Sequence, residues 1–204
     1  MDGMIATLSQ ATPFLAGGFV INLLISAVSM TLGTVLGFAL ATLRAARSRA
    51  ATLPAQALTN LCRNVPSFVL LFYVAFLLPV EAEIGGTLVF IPLWIKAAVA
   101  LTIPVIGFTS DQGAGFYRHR RAGDGHAAAT FWTAWVQYLL IIVMASATAS
   151  VIGADEIVGR ANRIITLDTG PAFLLVTYGY VSLWFLATGL ILSWVAGRLT
   201  PRTT

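Results

Sequence analysis

The sequence predicts an all-α integral membrane protein: a five-helix transmembrane bundle with its amino end outside. Three observations carry this. The 204 residues are 58% hydrophobic and only 10% charged, with a mean hydropathy of +0.86, whereas soluble domains carry about 25% charged residues. Five apolar stretches are each long enough, or nearly so, to cross a hydrocarbon core, which takes about 20 helical residues. The basic residues fall between those stretches on alternate sides.

Met1 to Pro13 reads as a weakly polar leader without the basic start of a cleavable signal peptide. The first span covers residues 17–43. Gly33 and Gly37 form a GxxxG pair, which lets a neighbouring helix approach closely. Arg44, Arg47, Arg49 and Arg63 then surround a mixed loop or surface helix. The second span, residues 65–79, is short. Pro66 suits its first turn, and Arg63 snorkels at its edge. Glu81 and Glu83 lie in a loop without basic residues, the profile of an outer connection.

The third span covers residues 88–110. Lys96 inside it is costly unless it snorkels or faces protein, and Pro104 with Gly107 predicts a kink or break. Residues 113–130 read as an inner loop bearing Arg118, His119, Arg120 and Arg121. The fourth span, residues 131–153, belongs to an uncharged run from Ala127 to Ala154. Ala145, Ala149 and Gly153 recur every fourth residue, so one helical face is nearly bare and fit for close packing. Residues 155–166 read as an outer amphipathic helix. Asp155-Glu156 suits its N-terminus, and Ile157, Ala161, Ile164 and Ile165 make its apolar face. Asp168-Thr169-Gly170-Pro171 reads as a cap-and-proline start for the fifth span, residues 172–196, closed by Arg198 and Arg202.

With the amino end outside, Arg44, Arg47, Arg49, Arg63, Arg118, Arg120, Arg121, Arg198 and Arg202 fall inside. Only Arg160 and Arg163 fall in outer loops, and the opposite orientation would invert that ratio. The net charge of +4 therefore sets topology and does not indicate nucleic acid.

Much chemistry is missing. Lys96 is the single lysine, and no Gly-x-x-x-x-Gly-Lys occurs, so the chain has no P-loop of its own. His119, His126 and Cys62 lack metal-site spacing, and Cys62, the single cysteine, permits no internal disulfide. No metal and no cofactor is expected. Asp111, Asp124 and His126 are the one set that could be drawn as acid and base, the basis of a membrane-embedded enzyme as an alternative. A solvated charge cluster accounts for them more simply, and no catalytic residue is assigned.

Four stretches resemble the membrane permease subunit of bacterial ABC importers of the polar amino acid type (histidine, glutamine, glutamate, arginine and opine). They are Asn22-Leu23-Leu24-Ile25-Ser26 with Gly33 and Gly37; Cys62-Arg63-Asn64-Val65-Pro66-Ser67-Phe68-Val69; Gly125-His126-Ala127-Ala128; and Ala145 to Arg163, with Thr148-Ala149-Ser150-Val151-Ile152-Gly153 and Glu156-Ile157. The resemblance implies a multi-pass subunit of the bacterial cytoplasmic (inner) membrane. It implies pairing with a second permease subunit, identical or paralogous, a separate ABC ATPase, and a periplasmic or extracellular solute-binding protein. It places Gly125, His126, Ala127 and Ala128 in the loop that the ATPase grips. The chain departs from the family pattern there: His126 stands where Glu is usual, and the Leu-Pro element that follows is missing. Those departures motivate a second alternative, a permease-like structural subunit that no longer couples. Ser146, Thr148 and Ser150, with Thr109 and Ser110 as second choices, are the candidates for lining a translocation path. The alternative for each hydroxyl is a bond to a carbonyl of its own helix.

Overall fold

A computed structural model describes residues 2–166 and 170–199. Its elements are α1 (Asp2–Arg44), α2 (Arg49–Asn64), α3 (Ser67–Leu77), a hairpin of β1 (Glu81–Ile84) and β2 (Thr87–Phe90), α4 (Leu93–Arg121), α5 (Ala127–Ser146), a 3₁₀ segment (Ala147–Ile152), α6 (Ile157–Ile165) and α7 (Pro171–Leu199). α1, α4, α7 and the unit of α5 with its 3₁₀ segment are long and apolar enough to cross a membrane. The pair α2–α3, bent by 98°, makes a fifth span if counted as one. The chain is a multi-pass, all-α membrane bundle with one small hairpin. The proposed cap Asp168-Thr169 and the basic Arg202 lie outside the described residues.

The bundle is built on α1 and α4. Gly33 and Gly37 seat one against the other. A Cβ at Gly33 would stand 2.4 Å from Val105 Cβ, and one at Gly37 would stand 2.6 Å from Thr109 Cβ and 2.9 Å from the Ile106 carbonyl. The helices can approach this closely only because those side chains are missing. Ile25, Met30, Leu71, Ala97, Leu101, Val105 and Ile142 fill the core between α1, α3, α4 and α5. A second core joins the first half of α1 to α6 and α7 through Leu8, Leu15, Phe19, Ile157, Ala161, Phe173 and Val181.

Several boundaries differ from expectation. The leader is helical: α1 begins at Asp2 and runs through Pro13. Leu8 packs into the second core, and Thr12 shares a 3.1 Å hydrogen bond with the Tyr180 hydroxyl. The second span is divided, because α3 has only 11 residues, about 16 Å of helix. α2 leaves it at the bend, with its Ala55, Thr59 and Cys62 face buried. Residues 87–90 are a strand, so the third span begins at Leu93, after a tip in which Gly85 and Gly86 both take positive φ. α4 passes Pro104 without a break, and Tyr138 donates its hydroxyl to the Pro104 carbonyl at 3.3 Å. The expected fourth span loses its α geometry after Ser146. The 3₁₀ segment follows, and Gly153 closes it at φ 87°. Ala145, Ala149 and Gly153 thus share no single α-helical face, although Ala149 is fully buried.

Lys96 faces protein. It is 2% exposed and donates to the carbonyls of Ala75 at 3.2 Å and Leu78 at 2.8 Å. These are carbonyls at the C-terminal end of α3, where a helix leaves its acceptors unpaired and carries partial negative charge. The ammonium therefore serves as the cap of α3.

Candidate functional site

The first candidate is the turn joining α4 to α5. Residues 113–121, expected as loop, are the last turns of α4, and 127–130 are the first turn of α5. Only Ala122 to His126 lie outside helix. The α4 end is closed by the Ala122 N–H on the Arg118 carbonyl (3.1 Å), the Gly123 N–H on Arg120 (3.2 Å) and the Asp124 N–H on His119 (3.1 Å). Gly123, at φ 80°, supplies the left-handed residue that such a closure needs. Asp124 then works in both directions. Its Oδ2 meets His119 Nδ1 at 3.1 Å, and its Oδ1 accepts the His126 N–H at 2.8 Å. Below the turn, Phe131 packs on Phe38 and Phe116, with ring centroids 4.9 and 6.2 Å away. Of the four motif residues, Ala127 is buried, while Gly125, His126 and Ala128 are exposed. The turn is a folded knob on a rigid base.

One step back along α4 lies a cluster of charges. Asp111 receives Arg44 from α1 at 3.1 Å and Arg63 from α2 at 2.6 Å. Ser110 shares a 2.7 Å bond with Thr59, and Arg44 Nη1 donates to Ser110 at 3.4 Å. The cluster fastens the end of α1 and the bend between α2 and α3 to α4. Asp111 thus serves Arg44 and Arg63 while Asp124 bonds His119 and the His126 N–H, and the two carboxylates do not converge with the His126 side chain as acid and base.

The second candidate is a buried polar seam where α5 gives way to the 3₁₀ segment. Asn22 of α1, fully buried, donates through Nδ2 to Ser146 Oγ and to Glu156 Oε2, both at 2.9 Å. Its Oδ1 accepts the Ile157 N–H at 3.0 Å. Glu156, also fully buried, caps α6 by accepting from Val158 N–H (3.0 Å) and Gly159 N–H (2.7 Å). Three bonds from Asn22 thus join α1 to α5 and to the start of α6, two more from Glu156 cap α6, and among the described residues no cation takes part. Gly18 lets α6 come this close, since a Cβ there would stand 2.8 Å from the Ile157 backbone. Arg160 extends the junction outward, donating to the Phe14 carbonyl at 2.7 Å and to Asp155 at 2.8 Å, and Arg163 also pairs with Asp155.

The five nominated hydroxyls occupy different neighbourhoods. Ser146 belongs to the seam. Thr148 and Ser150, half-buried, donate to the carbonyls of Ala145 (2.6 Å) and Ala147 (2.9 Å). Ser110 belongs to the charge cluster. Thr109 is buried against Gly37 without a hydrogen-bond partner among the described residues. The sequence offered Asp111 only as a member of an acid–base set and Asn22 only as part of a resembling stretch; that each is the centre of a polar group was missed. An amide or a carboxylate within or beside an apolar span was the available signal, because such groups are costly in lipid unless they are paired.

No protein-family model matches the sequence, and neither does any curated protein. Solved structures do match. An amino acid ABC transporter solved with histidines superimposes with a TM-score of 0.72 at 17% identity, over 95% of this chain and 97% of that one. A methionine ABC transporter in inward-facing conformations gives 0.67 at 17% identity, over 94% and 99%. The fold is that of an ABC importer permease subunit.

Proposed function

We propose that this chain is the transmembrane subunit of an ATP-driven importer in the cytoplasmic membrane of a bacterium. It forms part of the path for a polar amino acid or a similar small solute, and it couples to a separate ATPase through the α4–α5 turn. The observation that carries this reading is the near end-to-end likeness of fold to two amino acid ABC transporter structures. The knob supports it. A folded turn between two long helices can pass a push into the bundle as a rigid-body displacement, and an unfolded loop could not. The chain has no P-loop, so nucleotide hydrolysis belongs to another subunit. The basic tally puts the knob on the inner side and the hairpin on the outer side.

A second permease subunit and lipid cover the apolar faces that the single chain leaves open. α3 exposes Val69, Tyr73, Phe76 and Leu77, which with Phe72 line an open groove of about 460 Å³. A solute-binding protein delivers substrate to the outer side. Ser146, Thr148, Ser150, Thr109 and Ser110 remain the proposed path hydroxyls, reached when the helices shift. The complex reconstituted in liposomes tests the reading. ATP hydrolysis should rise when loaded binding protein is added, and labelled amino acid should accumulate. Hydrolysis indifferent to the binding protein would count against it.

A further inference from the structure

Two polar side chains face outward from the apolar spans of α5 and α7. Gln137 of α5 and Ser193 of α7 are both exposed. They line one notch of about 60 Å³ between the two helices, otherwise walled by apolar side chains. Among the described residues, neither the Gln137 carboxamide nor the Ser193 hydroxyl has a hydrogen-bond partner. Polar groups at hydrocarbon depth are costly unless something pairs with them.

A cation lies next to the notch, toward the carboxyl end of α7. Arg198 is the first charged residue after Pro171. It is exposed, and its guanidinium lies 4.5 Å from the centroid of the Trp194 ring. No carboxylate among the described residues pairs with it. Trp132 and Trp194, 51% and 61% exposed, mark the interfacial level at which indoles collect. Ser193 stands five residues from Arg198, about 7.5 Å along the axis, and Gln137 stands about as far beyond Trp132. The headgroup layer of one leaflet is about 5–8 Å deep. The guanidinium therefore sits at the level of lipid phosphates, and the polar pair at the top of the hydrocarbon, where lipid ester groups lie. Gly197 falls between Ser193 and Arg198 on the helix surface. Nothing stands within 4 Å of a Cβ added there, so no side chain separates the two.

We infer that the seam between α5 and α7 binds one anionic phospholipid. The leaflet is the one at the carboxyl end of α7, the inner one by the basic tally. Arg198 takes the phosphodiester with its guanidinium fork. Gln137 and Ser193 donate to the ester carbonyls, which only accept, and an acyl chain follows the seam. Arg198 has no carboxylate to offset it, so it favours a headgroup of net negative charge over one that carries its own cation. The site needs only the bilayer and stands whether or not the chain imports amino acids.

Native mass spectrometry of the full chain, titrated in detergent with defined lipids, tests this. The probes are phosphatidylglycerol, phosphatidylcholine and an ether-linked phosphatidylglycerol that lacks the two carbonyls. Wild type should hold one phosphatidylglycerol about fivefold more tightly than phosphatidylcholine, and about fivefold more tightly than the ether lipid. Neither comparison depends on a variant that folds. Arg198→Gln should lose the headgroup preference and keep the ester preference. Gln137→Leu/Ser193→Ala should keep the headgroup preference and lose the ester preference. Wild type that binds ester and ether lipids equally, or phosphatidylglycerol and phosphatidylcholine equally, would overturn the inference. So would a Gln137→Leu/Ser193→Ala chain that binds all three lipids as wild type does but no longer pairs with a second copy, because the notch would then belong to a subunit interface.

Discussion

Asn22 and Asp111 organise similar numbers of contacts, yet they should differ in what they contribute. Asn22, Ser146 and Glu156 are fully buried. Replacing Asn22 by Leu removes one donor from Glu156, one from Ser146 and the acceptor of the Ile157 N–H. A buried polar group left without its partner costs about 1–3 kcal/mol, and the loss of a partner by Glu156, Ser146 and the Ile157 N–H together puts this site at the upper end. Asp111 is 39% exposed as a side chain, and its partner Arg63 51%, so Asp111→Asn should cost about 1 kcal/mol or less after screening. The order can be read in detergent with a thiol-reactive dye, because the single cysteine, Cys62, is buried and reacts on unfolding. Asn22→Leu should lower the midpoint by roughly 4–10 °C and Asp111→Asn by about a third of that or less. Equal shifts would mean that burial is not what sets the value of the seam.

At the scale of elements, the α1–α4 contact rests on missing side chains, and a glycine inside it should respond oppositely to one outside it. Gly37→Leu drives a side chain into Thr109 and the Ile106 carbonyl, where backbone cannot yield cheaply, and should cost 3 kcal/mol or more, taken roughly as severe overpacking. Gly115, also helical, has nothing within 4 Å of an added Cβ, so Gly115→Ala should stabilise by about 0.5–1 kcal/mol. Equilibrium unfolding of the two variants checks both signs. The long helices were legible because apolar content over twenty residues is a signal of composition. The GxxxG pair was legible because close packing in lipid has few other solutions. Three features were hidden. Residues 113–121 read as loop because their polarity rose, but a helix leaving the bilayer keeps its backbone geometry while its side chains turn polar. The change to 3₁₀ begins at Ser146, whose hydroxyl meets Asn22 from far along the chain, a contact that no local pattern announces. The Gly85-Gly86 pair between two short alternating runs is a hairpin signal, but the apolar run that follows outweighed it. The candidate site was legible as a location, the turn before α5, and not as an architecture.

At the scale of the whole molecule, the question is which end faces the cell interior. The proposal depends on it, since an ATPase can push only on the inner end. The hairpin and the α4–α5 turn lie at opposite ends of α4, so they are natural reporters. Arg44, Arg47, Arg49, Arg63 and the arginines of the turn share one end of the bundle, tied together by Asp111 and by the Phe38, Phe116 and Phe131 cluster. Moving that many guanidinium groups across a bilayer during insertion is far costlier than moving Glu81 and Glu83, and acidic residues have little weight in orientation. In a Cys62→Ser background, Glu83→Cys should be labelled by a membrane-impermeant maleimide in intact cells. Arg121→Cys should be labelled only after the cells are opened, and losing that one arginine leaves enough basic residues to keep the orientation. If Arg121→Cys reacts in intact cells, the turn faces outward, and no nucleotide-driven partner could reach it.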